Sequence, residues 1–224
     1  MQVLAALLAG KQTRERICDG YILSWAALYP CETKGEAMIL QQALKQSHEY
    51  ARRIVQPGDT VVDATMGNGH DTAFLASLTG REGKVYAFDI QKEAIENTKK
   101  RLLNEGLSET CILIQDGHEK LGQYVHEPVK LVLFNLGYRP GGDHTLCTLG
   151  ETTLQAVQAA FAKLTVCGMI ILVIYHGGDS GFEERDYLLE RLPQFDPQFA
   201  AVMVTQFVNL PNHPPILVCI EKLK

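Results

Sequence analysis

The chain has 224 residues, 46% of them hydrophobic and 21% charged, with a formal net charge of −5. That length suits one domain with a real core, and no apolar run approaches the roughly 18 residues that a membrane span needs. The acidic balance is the reverse of what a protein clamping many phosphates carries, so any nucleic-acid partner must be held by a local basic patch or by base contacts.

The first 34 residues show no sustained period. Residues 1–9 are apolar but few, and no positive charge precedes them, so they do not read as a signal peptide. Tyr21, Trp25 and Tyr29 fall at i, i+4 spacing. They read as cover for the core or for a homodimer contact, with a substrate-stacking platform as the alternative. Residues 35–55 place Met38, Leu40, Ala43, Leu44, Tyr50, Ala51 and Ile54 at helical spacing, as a helix beside a first strand would require. The expected division is an N-terminal extension over 1–37 and one domain over 38–224.

Strand-like and helix-like segments then alternate. Residues 60–64 (TVVDA) form a β-branched run after the turn Pro57-Gly58-Asp59. A helix is predicted over 70–78, a strand over 84–90 (KVYAFDI) and a helix over 93–104. A third strand is predicted over 110–115 and a fourth over 129–135 (VKLVLFN). A helix over 151–164, a strand over 169–175 and a helix over 182–191 follow. The last two strands, 199–207 and 216–221, are joined by the short loop NLPNHPP. The strands are too apolar to have a wet face, so helices must cover both sides of the sheet. The alternation predicts a doubly wound, mostly parallel α/β sheet, and the short final loop predicts an antiparallel last strand. The six cysteines, Cys18, Cys31, Cys111, Cys147, Cys167 and Cys219, include no CxxC pair. They fit a reduced, cytoplasmic chain better than a disulfide framework or a zinc site.

The chemistry-bearing residues gather where strands end. Asp63 closes the first strand, and Gly67-Asn68-Gly69-His70 follows it into a helix. Glycines there let a ligand lie against the backbone, and the helix that follows presents free N–H groups. Asp89 ends the next strand, twenty positions after Gly69, where an acid can accept from both hydroxyls of a ribose. Asp116 ends the third strand and could accept from an adenine amino group. The plainer readings are a helix N-cap for Asp89 and a turn residue for Asp116. The fourth strand ends in Phe134-Asn135-Leu136-Gly137-Tyr138, which resembles the Asn-Pro-Pro-Tyr box of methyltransferases acting on planar amino groups. An Asn oxygen can accept an amine hydrogen and aim the nitrogen's lone pair, and an aromatic ring can stack on the base bearing the amine. Such orientation is a large share of a transfer rate. A strand-end turn built from Asn and Gly is the plainer reading. Arg139, Gly141, Gly142, Asp143 and His144 extend that loop: Arg139 could meet a phosphate, and Asp143 or His144 could take a proton. His176 ends the fifth strand on the same rim and is a candidate for substrate contact. His70, His118 and His126 make no metal pattern, and no metal is expected.

Together, DATMGNGHDTAFLA, FDIQ, QDGHE, FNLGYRPGGDH and NLPNHPP resemble the small bacterial tRNA 5-aminomethyl-2-thiouridine methyltransferases, also labelled rRNA methylases. The similarity runs from about Met38 to residue 224. It implies a Rossmann-like class I fold with S-adenosylmethionine (SAM) as cofactor, held at Asn68, Gly69, Asp89, Gln91, Asp116 and His118. It places the methyl acceptor near Asn135, Tyr138 and Asp143, and the partner is the anticodon loop of tRNA. The reaction implied is methylation of a wobble-uridine aminomethyl nitrogen. Thr65 departs from the commoner glycine of the SAM loop, and Leu136-Gly137 replace the two prolines of the amine box. An rRNA base or a small-molecule amine is the alternative acceptor. A SAM-binding module without catalysis and an NAD oxidoreductase are the rivals of other classes; an amine clamp has no use in either.

Overall fold

A computed structural model of the chain describes residues 39–137, 149–176 and 181–224. The expected 1–37 extension, with Tyr21, Trp25 and Tyr29, lies outside the described residues. Leu40–Lys224 form one compact unit.

The seven strands are β1 (Thr60–Asp63), β2 (Lys84–Phe88), β3 (Cys111–Ile114), β4 (Val129–Leu136), β5 (Leu164–Ile174), β6 (Ala200–Thr205) and β7 (Ile216–Lys222). They form one sheet in the order β3-β2-β1-β4-β5-β7-β6. The first five run parallel, and β7 lies antiparallel to both β5 and β6. The helices are α1 (Ala43–Ile54), α2 (His70–Thr79), α3 (Lys92–Glu105), α4 (Leu121–Tyr124), α5 (Gly150–Lys163) and α6 (Gly181–Arg191).

Neighbouring strand residues point to opposite faces, and the two halves of the core follow from that. Val61, Leu131, Leu133, Ile171 and Val173 pack with Ala43 and Ala51 of α1 and Leu75 and Ala76 of α2. Val62, Val132, Phe134, Ile170 and Leu172 pack on the other face with Leu121 of α4, Ala156 and Ala160 of α5 and Leu188 of α6. Each fully buried Val, Leu or Ile contributes roughly 1.5–3 kcal/mol of transfer free energy, so a one-residue slip of a central strand is strongly disfavoured. Both sheet edges are wetter: Ile112 of β3 and Met203 and Val204 of β6 are exposed.

Two boundaries differ most from the pattern read in the sequence. Helix α1 begins at Ala43; its first turn closes on the Gln42 carbonyl, which accepts from Gln46 N–H at 3.1 Å. Strand β5 begins at Leu164, five residues earlier than the apolar run predicts, because a bulge near Cys167 keeps it paired. Cys167 has φ 58°, the β4–β5 register shifts between Val129 and Leu131, and Lys130 Nζ donates to the Cys167 carbonyl at 3.0 Å.

Candidate functional site

The carboxyl ends of the parallel strands share one edge, where α/β sheets bind ligands. Here that edge opens into a cleft of about 780 Å³. Its floor is fixed from below. Asp63, wholly buried, accepts the Thr72 hydroxyl at 2.6 Å on one oxygen and the Thr65 N–H at 3.1 Å on the other. Burial first, and then the nearby Asp71 carboxylate, push its pKa up to about 7. Asp63 does not reach the cleft wall among the described residues. It was expected to touch a cofactor; instead it ties the end of β1 to the first turn of α2 beneath the loop.

The loop itself is held by backbone. Ala64 N–H donates to Leu133, and Met66 N–H donates to Phe88. Gly67 and Gly69 have φ of 50° and 76°, a region that favours glycine. Gly69 is also sterically required: a Cβ there would lie 2.7 Å from Thr98 Oγ1 and 2.9 Å from Thr98 Cα. It therefore lets α3 approach the loop rather than lining the cleft. Asn68 lines the cleft; its carbonyl accepts from Arg101 Nε at 2.9 Å, and its side chain meets Asn97. Arg101 Nη2 lies 3.0 Å from His70 Nε2. Arginine only donates, so His70 Nε2 is the acceptor in this contact.

Asp89, Gln91, Asp116 and His118 all lie at the cleft. Asp89 accepts Gly67 N–H at 3.0 Å and Gln91 N–H at 2.9 Å, one on each oxygen, so each oxygen keeps a lone pair for a ligand hydroxyl. Asp116 accepts from Lys120 Nζ, Tyr124 Oη and Gly117 N–H. Lys120 first, then Tyr124, hold its pKa down to about 2. His118 donates from Nδ1 to the Ala64 carbonyl at 3.2 Å, and burial pushes its pKa below the usual histidine range. Its Nε2 is therefore a buried acceptor with no hydrogen-bond partner among the described residues. Ile90, more than half exposed, stands beside Asp89 at the cleft.

At the end of β4, Asn135 is clamped on two sides. Its N–H donates to Thr65 Oγ1 at 2.7 Å, and its Nδ2 donates to Asp71 Oδ2 at 3.1 Å. The amide oxygen Oδ1 makes no hydrogen bond within the described residues. His48 Nε2 meets the other Asp71 oxygen at 2.8 Å. Gly137 faces Tyr175, whose ring also lines the cleft. Tyr138, Arg139, Gly141, Gly142, Asp143 and His144 lie outside the described residues. His176, expected on the substrate side, is not among the described residues that line the cleft. It is buried, sits 3.0 Å from the Pro214 carbonyl through Nε2, and packs among Phe182 and His213. The side chain before it, Tyr175, takes the cleft side, as alternation along an extended chain dictates. His48, Thr65, Asp71 and Ile90 are site residues that sequence reasoning missed. Asp71 stood inside the quoted loop block, adjacent to His70.

These features fit SAM. An exposed aliphatic side chain beside a strand-end carboxylate suits a purine next to its ribose. The orphaned His118 acceptor and the carboxylates offer partners to the donor groups such a ligand carries.

A profile of the family described as Putative rRNA methylase matches residues 85–221. A second profile, protein-L-isoaspartate O-methyltransferase, matches 32–130. A chloroplastic tRNA (mnm5s2U34)-methyltransferase of Arabidopsis thaliana is 42% identical over 157 residues, 65% of this chain; the match spans 57% of that relative's length. A crystal structure of a putative rRNA-methylase from Clostridium thermocellum superimposes with TM-score 0.82 at 52% identity, covering 83% of this chain and all of the other. A methyltransferase structure from Streptococcus mutans, in complex with S-adenosylhomocysteine, gives TM-score 0.76 at 36% identity, covering 83% of this chain and all of the other.

Proposed function

Because the chain belongs to the Putative rRNA methylase family of class I SAM-dependent methyltransferases, we propose that its methyl acceptor is the aminomethyl nitrogen of a 2-thiouridine at the tRNA wobble position. The observation that carries this reading is the Asn135 amide. Its N–H and Nδ2 are both engaged, so among the described residues Oδ1 is the atom of the amide left to take a hydrogen from an acceptor amine at the cleft. The name of the Arabidopsis relative gives that tRNA acceptor, and its likeness to this chain supports the same choice here.

SAM supplies, when bound, an electrophilic methyl on a positively charged sulfur. In this reading Asp89 holds the ribose hydroxyls, Gly67, Asn68 and His70 border the methionine part, and Ile90 covers the adenine face. Gln91, Asp116 and His118 complete the cofactor side. Asn135 aims the acceptor nitrogen, the contribution that orientation makes to transfer. Tyr138, Arg139, Gly141, Gly142, Asp143 and His144, a few positions after Asn135 in the sequence, are the further acceptor-side residues of this reading.

The test is mass spectrometry of nucleosides from tRNA carrying 5-aminomethyl-2-thiouridine, incubated with the protein and isotope-labelled SAM. A labelled methylaminomethyl nucleoside is the expected product. Label appearing only in rRNA, or only on a free amine, would move the acceptor to those classes.

A further inference from the structure

Asp71 is the second residue of α2, and its carboxylate joins three elements. Oδ2 accepts from Asn135 of β4 at 3.1 Å, and Oδ1 meets His48 of α1 at 2.8 Å. The side chain is about one-tenth exposed and lies on the cleft, whereas His48 is 23% exposed. The His48 ring is stacked on Phe74, with ring centroids 4.1 Å apart, and the Arg52 guanidinium lies over the same Phe74 ring. One hydrogen bond therefore leads from a carboxylate at the cleft floor to a ring that reaches solvent. Each carboxylate oxygen has room for a second donor.

We propose that Asp71 receives the acceptor amine, pairing with it as an ammonium and taking its proton, and that His48 passes the proton to solvent. This rests on the amine acceptor proposed above. An amine arriving at neutral pH is mostly protonated and has no lone pair. The R–CH2–NH3+ group gives one proton to Asp71. Its nitrogen then bonds the methyl carbon, the carbon–sulfur bond breaks with its electron pair left on sulfur, and the product is R–CH2–NH2+–CH3. One proton leaves per turnover, and His48 is its path out.

The groups that face Asp71 favour this use. Asp63, from β1, is a second buried carboxylate; burial and then Asp71 push it up to about 7, so near neutrality it adds less negative charge than an ordinary carboxylate would. Tyr175, after β5, has its phenol raised by burial and by the Asp71 charge, and so stays neutral. Asn135 is uncharged. The Arg52 guanidinium lies over the Phe74 ring on which His48 stacks.

The experiment compares wild type, Asp71→Asn and His48→Gln in single-turnover transfer to aminomethyl-tRNA from about pH 6.5 to about pH 9.5. Asp71→Asn should be about a hundredfold slower near pH 7, a deficit shrinking roughly tenfold per pH unit as the amine deprotonates in solution. His48→Gln should show a smaller deficit with the same trend. A second readout does not need turnover. With S-adenosylhomocysteine bound, wild type should prefer aminomethyl-tRNA over tRNA lacking the amine, and Asp71→Asn should lose that preference while its SAM affinity is kept. A deficit equal at every pH, with the preference intact, overturns the proposal and leaves Asp71 as a support for Asn135. If Asp71→Asn does not fold, a wild-type rate in His48→Gln at every pH overturns it. If wild-type enzyme binds SAM but transfers nothing to aminomethyl-tRNA, the amine acceptor itself is wrong and this proposal falls with it.

Discussion

Thr72 donates its hydroxyl to Asp63 at 2.6 Å, and neither side chain is exposed to solvent. The bond fastens the end of β1 to the first turn of α2 beneath the loop 64–69. Thr72→Val keeps the shape and removes the donor. It leaves a buried carboxyl oxygen unmet, which costs about 1–3 kcal/mol. Urea unfolding should show that loss, calorimetry should show weaker SAM binding, and Thr72→Ser should restore both.

Asp63 also makes stability depend on pH. Its pKa rises from 3.8 to about 7 on folding, by burial first and Asp71 second. A carboxyl that holds its proton more tightly when folded gives stability that is complete below about pH 4 and lost as pH rises through about 7. His118, pushed down by burial, acts in the opposite sense. Its contribution is present above the ordinary histidine range and lost as pH falls. Comparison with Asp63→Asn isolates the carboxyl: the advantage of wild type over the variant should be larger near pH 5 than near pH 8. An advantage that does not change between those pH values would mean that Asp63 does not titrate there.

Asp89→Ala removes the strand-end carboxylate that accepts from Gly67 and Gln91. SAM binding should weaken by roughly 1.5–3 kcal/mol, the range for hydrogen bonds to a charged group. Wild-type affinity in a calorimetric titration would remove Asp89 from the ribose.

Asn135→Ala takes away the amide that Thr65 and Asp71 hold in place. SAM affinity should survive and kcat should fall at least about tenfold, because orientation is lost and cofactor contacts are not. Unchanged turnover would end the amine-box reading, and lost SAM binding would assign Asn135 to the cofactor.

Gly69→Ala would drive a methyl to within 2.9 Å of the Thr98 backbone at a φ of +76°. The neighbour is main chain and cannot swing aside. The variant should lose more than about 1 kcal/mol of stability and, with α3 displaced from the loop, part of its SAM affinity. A melting temperature equal to wild type would show that the loop tolerates the displacement.

What could be read from the sequence was what repeats along it. Apolar runs such as 129–135 and the acids that end strands, Asp89 and Asp116, place the sheet and its ligand edge, because strand and helix periods are local. The reversed β7 was legible from a loop too short for a crossover. The His48–Asp71–Asn135 chain was not, since its members come from three elements up to 87 positions apart (48 to 135) and meet only after the sheet assembles. His48 lay in a helix read for its apolar face alone. Asp63 and His176 were read from position on the strand ends, but position does not say which way a side chain turns. Asp63 turns down to Thr72, and His176 turns to Pro214.

Strand β7 follows β6 in the chain, yet in the sheet it lies between β5 and β6, with Ile216–Ile220 buried. On the ribosome, β6 therefore emerges before β7, the strand it pairs with among the described residues. Until residues 216–222 are free of the exit tunnel, β5 also keeps an open apolar edge beside the cleft. A nascent chain stalled before that point presents an unpaired β6 and an open edge of β5 at once, the kind of edge that recruits other chains. Emergence of β7 closes both.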